Sequence, residues 1–517
     1  MSKNKFTYIS LFSSAGVGCY GFKMNGFECV ATNELLRPRI DVQRANKKCK
    51  YDTGYIQGDI TQQETKDKLF EEIDTWRKNE GLEQIDVVFA TPPCQGMSTV
   101  NYKKNDHEQI RNSLVVEAIK IIKQIHPKIF VFENVRAFLT SICTDISGED
   151  MLIKDSIFKN LSEDYNIYCK VINFKDFGVP SSRPRTLVIG TSKGISQLSP
   201  LNIFPTRQKE ITLREAIGEF PRLQFGEKDS SDPLHFARPF PVHQIEWIQD
   251  LKEGQSAFDK PVEKQPYKID ENGQRVVLKG AYMGNKYRRL FWDKPGACVA
   301  TRNDVLSSQD TIHPSDTRVL SIRELMRIMT IPDEFKWTED DEALTPSNSD
   351  AYLSKNEMNI RRCIGEAVPT EIIRCIAHNI SVELQNVKSV QKMVDEENDQ
   401  VIYDKVVEKQ ADQIFNEINL CVTDKTKISI GIRNYSDFIC YIKQIASMFV
   451  TIEKVEIIAL GFSKKEKTNA TVFLKRNAIG VHISISFVEG HFPDSLDFVI
   501  RERFERYKQT EQLSLFD

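Results

Sequence analysis

Residues 8–22, "YISLFSSAGVGCYGF", decide the fold, because they join a short apolar run, a turn of small residues and the start of a helix. A strand, a glycine-containing turn and a helix in this order bring main-chain N–H groups close to a nucleotide-like ligand. Gly16, Gly18 and Gly21 leave room for that approach. An ordinary tight turn between a strand and a helix has the same pattern, so the assignment depends on the rest of the chain.

Short apolar runs alternate with longer amphipathic stretches from Tyr8 to about Thr191. The runs are "YISLF", "FECVATNE", "DVVFA", "KIFVFENV", "YCKVINF" and "TLVIGTS", and "SLVVEAIKIIKQIHP" has helical spacing. This alternation predicts an α/β fold with a doubly wound sheet and crossover helices. Beyond residue 401 the strand-like runs "KISIGI", "KVEIIALGF", "ATVFLKR" and "VHISISF" predict an additional C-terminal α+β domain.

The composition changes along the chain divide it into five expected regions. Residues 1–200 form the main α/β domain, 201–312 are an irregular, loop-rich recognition insert, and 313–385 return to the main domain. The charged stretch 386–400 is expected to be a linker, with an exposed helix as the alternative, and 401–517 form the C-terminal domain.

Composition excludes several classes of protein. The net charge of −3 provides no overall basic field, so binding to a polyanion requires a local patch. Eleven cysteines, without a C-x-x-C pair or a His/Cys cluster, argue for reduced thiols and against a disulfide framework or zinc. We therefore expect no structural metal. Without a signal region or a long uncharged apolar run, we expect a soluble cytoplasmic protein that does not associate with membranes.

Two acidic residues follow strands in the order that a nucleoside site requires. Glu34 in "ATNEL" lies about twenty residues after the glycine turn, where a doubly wound fold commonly places a carboxylate for ribose hydroxyls. Asp59 in "GDI" follows a later strand and suits an adenine amino group. Each acid alone also fits a solvated surface charge, but the pair in this order favours a nucleoside cofactor.

A cysteine, a glutamate and two arginines follow further strands. Cys94 in "ATPPCQGMS" leaves the carboxyl edge of the sheet on a loop stiffened by two prolines, and it is either a nucleophile or a small inert thiol. Glu133 in "FENV" ends another strand and should emerge on the same edge. Arg183 and Arg185 in "GVPSSRPR" alternate, so an extended chain points both guanidiniums to one side; surface salt bridges are the alternative.

Together these segments resemble the DNA (cytosine-5) methyltransferases, in ordered blocks from about Tyr8 to Ile380. The blocks are "LFSSAGVG", "NEL", "GDI", "PPCQGMS", "FENV", "GVPSSRPR", "TRVLSIRELMRIMTIPDEF" and "IGEAVP". The resemblance implies a class I, Rossmann-like methyltransferase fold with a doubly wound mixed sheet, and a target-recognition domain at 201–312. It also implies sequence-specific methylation of cytosine in double-stranded DNA, by the modification enzyme of a restriction-modification system or by a stand-alone bacterial or phage methylase.

The resemblance assigns a cofactor and roles to single residues. S-adenosylmethionine would be the cofactor, and its implied contacts are Phe12, Ala15, Gly16, Glu34, Asp59, Ile60, Pro93, Leu114 and Glu366. The implied catalytic residues are Cys94, Glu133, Arg183 and Arg185, with Arg183 supporting the loop of Arg185. In this scheme the Cys94 thiolate adds to carbon 6 of cytosine, while Glu133 binds ring nitrogen 3 and Arg185 the carbonyl oxygen. No residue is identified as the base that removes the carbon 5 proton.

The chain departs from the pattern of that family at four positions. Ser14 and Val17 stand where glycine is usual, Ser181 where glutamine is usual, and Glu366 where asparagine is usual. None of these changes removes a reacting group. Glu366, however, adds a negative charge close to the expected carboxylate of the cofactor.

A local basic stretch at 279–304 offsets the acidic total. Its basic residues are interleaved with aromatic ones, which is typical of nucleic-acid contacts, and the expected DNA contacts are Lys279, Lys286, Arg288, Arg289 and Arg302, with Lys294 between them. The target base lies inside a duplex, so it has to be flipped out at a cost of a few kcal/mol.

The last residues suggest a partner. "EQLSLFD" contains Gln512, Leu513, Ser514, Leu515 and Phe516, and it resembles the short peptide that binds the bacterial replication sliding clamp. The alternative is that Leu513, Leu515 and Phe516 pack on their own domain. We expect a monomer.

Two other functions compete with DNA methylation. A tRNA cytosine-5 methyltransferase would carry similar blocks, although the insert of about 100 residues before Arg318 favours readout of duplex DNA. A DNA-binding protein with a decayed active site is the other candidate. The presence of Cys94, Glu133 and Arg185 argues against it.

Overall fold

A computed structural model describes residues 5–93, 114–195, 198–278 and 285–396, together with five strands beyond them. The chain divides into two compact units. Unit 1 comprises Met1–Ser196 and Ile203–Ser381, and unit 2 comprises Gln197–Asn202 and Val382–Asp517. No described helix is long and apolar enough to cross a membrane.

The strands follow each other along the chain in three groups. In the first part of unit 1 they are β1 (Thr7–Leu11), β2 (Glu28–Glu34), β3 (Tyr55–Gln57), β4 (Val87–Ala90), β5 (Ile129–Val135), β6 (Ile142–Thr144), β7 (Asp150–Leu152), β8 (Tyr165–Asn173) and β9 (Pro184–Ser192). A short hairpin follows, β10 (Tyr267–Ile269) with β11 (Arg275–Val277). The strands of unit 2 are β12 (Lys427–Gly431), β13 (Glu456–Phe462), β14 (Asn469–Arg476), β15 (Ile479–Ser486) and β16 (Ser495–Arg503).

The described helices alternate with the first strands and then dominate the chain as far as Glu396. They are α1 (Tyr20–Met24), α2 (Arg37–Ala45), α3 (Gln63–Glu80), α4 (Leu114–Ile125), α5 (Ile153–Leu161), α6 (Pro200–Ile203), α7 (Leu213–Ile217), α8 (Val242–Ile248), α9 (Ile322–Ile328), α10 (Ser349–Glu366) and α11 (Thr370–Glu396). Short 3-10 turns lie at Asp52–Gly54, Phe138–Thr140, Phe174–Phe177, Ala257–Asp259 and Val262–Lys264.

The central sheet of unit 1 has seven strands in the order β3-β2-β1-β4-β5-β9-β8. Strands β1 to β5 pair in parallel, whereas β9 runs antiparallel to both β5 and β8. The predicted mixed α/β sheet is therefore confirmed, and each of the six apolar runs forms one of its strands. Because the parallel strands share one direction, their carboxyl ends meet at a single edge of the sheet.

The apolar runs are continuous because helices cover both faces of the sheet. Every residue of β1 is buried, and α4 buries Val115, Ala118, Ile119 and Ile122 in the same core as Ile9. The helical spacing of "SLVVEAIKIIKQI" thus directs one apolar stripe toward the sheet. This core fixes where the strand ends lie.

Two further cores are described in the later half of unit 1. One combines residues of α7, α9 and α10 with Ala15 and Val17 of the glycine turn. The other is smaller and contains Trp247, Tyr287 and Ile312. Of these two described cores, the smaller one consists mainly of residues between 201 and 312, whereas α7, from the same predicted recognition domain, packs with the return segment.

Of the two alternatives for 386–400, a linker or a helix, the described residues 386–396 form the helix. Helix α11 continues to Glu396, since residues 386–396 contain neither glycine nor proline to end it, and 397–400 lie outside the described residues. In unit 2, the strands form one antiparallel sheet in the order β12-β16-β15-β14-β13. Four of these were predicted, and β16 was missed.

Candidate active site

The turn after β1 holds two non-glycine residues in the left-handed region. Phe12 has φ +57° and Ser14 has φ +45°, followed by Gly16 at +77°. Glycine adopts this conformation most easily, so Ser14 departs from the glycine pattern at some cost in strain. Gln43 on α2 stabilises the turn, because its amide Nε2 donates to the Ser14 carbonyl at 2.5 Å and to the Ser13 hydroxyl at 2.8 Å.

Glu34, at the end of β2, is bonded to this turn. Its carboxylate is 5 % exposed and accepts from the main-chain N–H of Ser14 at 2.8 Å and of Leu36 at 3.1 Å. A third donor is Nη1 of Arg39, at 3.3 Å. The predicted ribose-binding carboxylate is therefore held in one orientation by the protein itself.

The end of α10 brings Glu366 to the same turn. Glu366 Oε2 accepts from Arg39 Nη2 at 2.5 Å and from the Ser14 hydroxyl at 3.4 Å. A small pocket lies beside the turn, and its lining residues are Ser13, Ser14, Ala15, Val17, Gly18, Cys19, Phe89, Thr91, Cys363, Glu366, Ala367 and Val368. Of the predicted cofactor contacts, Ala15 and Glu366 line this pocket.

The remaining predicted cofactor residues lie around the same sheet edge or in the core. Asp59 is exposed, and its Oδ1 accepts from the main-chain N–H and the hydroxyl of Thr61, both at 2.9 Å. Ile60 is buried in the main core, against which the half-buried Phe12 and Leu114 also pack. Pro93 is half-buried at the end of the described segment.

Cys94 lies outside the described residues, but the segment that leads to it is anchored on both sides. The Thr91 hydroxyl donates to the Phe12 carbonyl at 3.0 Å. From β5, the Asn134 amide Nδ2 donates to the Pro92 carbonyl at 2.8 Å, in a buried position. Sequence reasoning missed Asn134, although its place beside Glu133 in "FENV" was the available signal.

Glu133 and Arg185 form an ion pair between β5 and β9. Arg185 Nε lies 3.4 Å from Glu133 Oε1, and the antiparallel register places Val135 opposite Arg185. Burial raises the pKa of Glu133 above its ordinary value, although Arg185 and Arg183 oppose that rise. The pair provides a buried carboxyl group that holds a proton more readily than usual, next to a fixed positive charge.

Arg183 lies in the interior, and its predicted catalytic role needs a correction. It is 3 % exposed, and it donates through Nη1 to the Val299 carbonyl at 2.9 Å and through Nη2 to the Gly365 carbonyl at 3.0 Å. Because main-chain carbonyls occupy its guanidinium, we retain for Arg183 only the second part of its predicted role, support for the loop of Arg185. It ties the start of β9 to two segments far along the chain.

Cys298 was not singled out in the sequence, yet both arginines contact it. Arg183 Nη1 is 3.4 Å and Arg185 Nη2 is 4.0 Å from its Sγ atom, so the two guanidiniums lie on one side, as their alternation predicts. Burial by itself raises the pKa of the Cys298 thiol, but the arginines bring that pKa below its ordinary value.

The structure separates the expected DNA contacts into different environments. Lys286 and Lys294 are exposed, and Arg302 is 60 % exposed while paired with Asp304 at 2.9 Å. Arg288 is partly buried, 3.8 Å from Asp310. Lys279 lies outside the described residues, as do Gln512, Leu513, Leu515 and Phe516 of the terminal peptide.

The prediction that Arg289 contacts DNA is wrong. Its side chain is 2 % exposed, and its guanidinium donates to the main-chain carbonyls of Ile248, His313 and Asp316 at 2.8–3.0 Å. The guanidinium thus joins three segments of unit 1 from within. A basic residue in a basic stretch cannot be assigned to the surface from the sequence alone.

Comparison with known proteins identifies relatives along most of unit 1. Residues 6–382 match the family described as C-5 cytosine-specific DNA methylase. The chain is 32 % identical over 390 residues to the type II methyltransferase M1.HgaI of Avibacterium volantium, covering 73 % of this chain and 99 % of that protein. It is 30 % identical over 375 residues to the type II methyltransferase M1.HphI of Haemophilus parahaemolyticus, with 72 % and 86 % covered. The family match ends at residue 382, so unit 2 lies almost entirely beyond it.

Proposed function

Because the chain belongs to the C-5 cytosine-specific DNA methylase family, we propose that it transfers a methyl group from S-adenosylmethionine to a flipped cytosine in a specific DNA sequence. The similarity to type II methyltransferases supports a DNA cytosine-5 methyltransferase of the restriction-modification type. The observation that carries the mechanism is the Glu133–Arg185 pair, on the strand next to the anchored segment Thr91–Pro93.

The residues around the first turn fit this cofactor. When bound, S-adenosylmethionine supplies a methyl group made electrophilic by its sulfonium. A carboxylate has about four acceptor sites, and three donors already bind Glu34, so one site is left for a ribose hydroxyl. Asp59 would contact the adenine, and Glu366 would close the pocket on the side opposite the turn. The apolar and main-chain contacts would come from Phe12, Ala15, Gly16, Pro93 and Leu114.

Cys94, Glu133 and Arg185 would activate the cytosine ring. Carbon 5 is a poor nucleophile, so the Cys94 thiolate forms a bond to carbon 6 and the electron pair of the 5,6 double bond moves toward carbon 5 and the ring. Glu133, whose pKa is raised by burial, supplies the proton at ring nitrogen 3. Arg185 stabilises the charge that develops at the carbonyl oxygen. After carbon 5 is methylated, a base removes the carbon 5 proton, that electron pair re-forms the 5,6 double bond and Cys94 leaves as a thiolate. Ring nitrogen 3 returns its proton to Glu133, which restores the neutral aromatic ring.

Access to the target requires base flipping, because the reacting carbon is stacked inside the duplex. Unstacking costs a few kcal/mol, which contacts to the phosphates and to the flipped base can offset. Lys286, Lys294 and Arg302 expose positive charge for such phosphate contacts, with Arg288 partly buried beside them.

Labelled S-adenosylmethionine, offered with either mixed-sequence duplex DNA or tRNA, tests the reaction. We expect label in DNA alone, and bisulfite sequencing of that DNA then gives the target site. Label in tRNA alone would identify the tRNA enzyme instead. Absence of label in both, with DNA binding retained, would identify a binding protein without activity.

Trapping on duplex DNA that contains 5-fluorocytosine tests the nucleophile. The wild-type protein should form a covalent adduct, because fluorine at carbon 5 blocks the elimination of Cys94. Cys94→Ser should form none, whereas the control variant Cys169→Ser, which changes a half-buried thiol of β8, should form the adduct normally. An adduct with Cys94→Ser would overturn the assignment.

A further inference from the structure

Arg39 connects two acidic groups of the proposed cofactor site. We propose that Arg39 is a positioning residue for S-adenosylmethionine, which neutralises Glu366 and holds Glu366 and Glu34 in the orientations that the cofactor needs. This inference rests on the proposed function, because it concerns the same pocket. It assigns a role to a residue outside every motif considered in the sequence.

The geometry of Arg39 is that of a bridge. Its guanidinium extends from α2, with Nη1 3.3 Å from Glu34 Oε1 and Nη2 2.5 Å from Glu366 Oε2. The side chains of Arg39 and Glu34 are 17 % and 6 % exposed, and that of Glu366 is 29 % exposed. Arg39 does not line the pocket itself, whereas Glu366 and Ser14 do. It therefore acts through its two partners.

The charges explain why a bridge is needed here. Glu366 adds a second carboxylate to a site that already contains Glu34, and both acids accept from Ser14 and from Arg39. Two carboxylates that share a partly buried site cannot both remain ionised at low cost, and one of them takes up a proton. Arg39 removes this conflict, because with one guanidinium between them the three groups carry the charge of a single carboxylate.

The same network contributes to the shape of the glycine turn. Ser14, in the left-handed region, donates its main-chain N–H to Glu34 and its hydroxyl to Glu366. Arg39 thus holds both acids that hold the turn. While Glu366 carries its charge, loss of Arg39 should disturb both sides of the pocket, the turn at Ser14 and the end of α10 at Glu366.

Stability alone does not account for this bridge. Arg39 Nε is buried, and it has no hydrogen-bond partner among the residues that the structure describes. Burying an incompletely satisfied guanidinium is costly, and buried ion pairs are weak evidence of stabilisation. We therefore expect removal of Arg39 to affect binding more than folding.

Calorimetric binding of S-adenosylhomocysteine tests the proposal with Arg39→Met, Glu366→Gln and the double variant. Arg39→Met should weaken binding about tenfold or more, while Glu366→Gln should change it less than about threefold. In the double variant the extra carboxylate is gone, so the affinity should return to within about threefold of Glu366→Gln. The matched control is Arg37→Met, which breaks an exposed ion pair with Asp41 on the same helix and should leave the affinity unchanged.

The double variant separates this role from a merely structural one, because removing the charge of Glu366 can restore binding only if Arg39 acts on that charge. A loss in Arg39→Met that Glu366→Gln does not relieve, or a double variant that fails to fold or to bind, would overturn the proposal. If Arg39→Met alone does not fold, the proposal still requires the double variant to fold and to bind within about threefold of Glu366→Gln. Failure of the wild-type protein to bind would instead contradict the proposed cofactor.

Discussion

Arg318→Met should destabilise unit 1 strongly, because it removes the centre of a buried network of charges. Arg318 is 1 % exposed and donates to both carboxylate oxygens of Glu324, at 2.7 and 2.8 Å. It also contacts Asp316 Oδ2 through Nη2 at 3.0 Å and through Nε at 3.2 Å. Methionine preserves much of the side-chain volume, so the variant removes the charge and its hydrogen bonds without a large cavity.

Two independent considerations give a similar magnitude. Removing one partner of a buried ion pair typically lowers the free energy of unfolding by about 3–5 kcal/mol, because the other charge remains buried without its partner. Burial raises the pKa of Glu324, but the bonds and charge of Arg318, with smaller contributions from His313 and the Ser321 main chain, outweigh it and bring that pKa from 4.5 to about 2. At about 1.4 kcal/mol per pKa unit, this shift is on the order of 3 kcal/mol at neutral pH. We expect a loss of about 3–4 kcal/mol.

Urea unfolding followed by tryptophan fluorescence measures this loss. The four tryptophans, Trp76, Trp247, Trp292 and Trp337, all belong to unit 1, so the signal reports on that unit. The control is Arg327→Met in α9, the helix that contains Glu324; its pairs with Glu219 and Asp333 are solvent-accessible and should contribute less than about 1 kcal/mol. A loss with Arg318→Met no larger than that of the control would refute the reasoning.

The pH dependence gives a second check on the same network. Because the pKa of Glu324 is depressed, its contribution is fully present above about pH 4.5 and is lost as the pH falls toward about 2. The pKa of His313 is lowered by burial to about 4, so protonation of the unfolded chain also weakens unit 1 as the pH falls below about 6.5. The difference between wild type and Arg318→Met should therefore shrink below about pH 4.5. A difference that stays constant down to about pH 3 would contradict the electrostatic origin.

Four further predictions concern the site, the packing and the terminal peptide. Asn134→Ala leaves the buried Pro92 carbonyl without its donor, at a cost of about 1–3 kcal/mol, so turnover should fall about tenfold or more in single-turnover assays while cofactor affinity stays constant. Glu133→Gln should also reduce turnover. Because the pKa of Glu133 is raised in the fold, the wild-type protein loses stability as the pH rises above the unfolded pKa of about 4.5. Thermal unfolding of Glu133→Gln at several pH values should lack that loss. Gly21→Ala places a Cβ atom 2.4 Å from Arg374 N and 2.7 Å from Thr370 O, so it should cost about 1–3 kcal/mol, unlike Gly194→Ala with its nearest atom at 3.5 Å. Deletion of Leu515 and Phe516 should abolish binding to the bacterial sliding clamp in a pull-down but preserve methylation of short duplexes; no binding by the wild-type protein would end that hypothesis.

The candidate site was predicted in part from local patterns. Strand ends place Glu34 and Glu133 at one edge of the sheet, and the structure has both there, each buried and each paired with an arginine. Asn134 and Arg39 were missed, since nothing in their immediate sequence distinguishes a residue that anchors a loop from an ordinary polar residue. Their importance follows from contacts with Pro92 and Glu366, which are 42 and 327 residues away in the chain.

The sequence by itself determined most of the strands, the parallel crossover pattern and the motifs of the methylase family, because short apolar runs, helical apolar spacing and motifs are local properties of the chain. Only the tertiary structure decided which charges are available to a ligand. Arg183 and Arg289 belong to basic stretches, yet both are buried on main-chain carbonyls, whereas Arg185 remains beside Glu133. Burying a charge is tolerated only where distant segments supply acceptors, and the positions of those segments are fixed by packing.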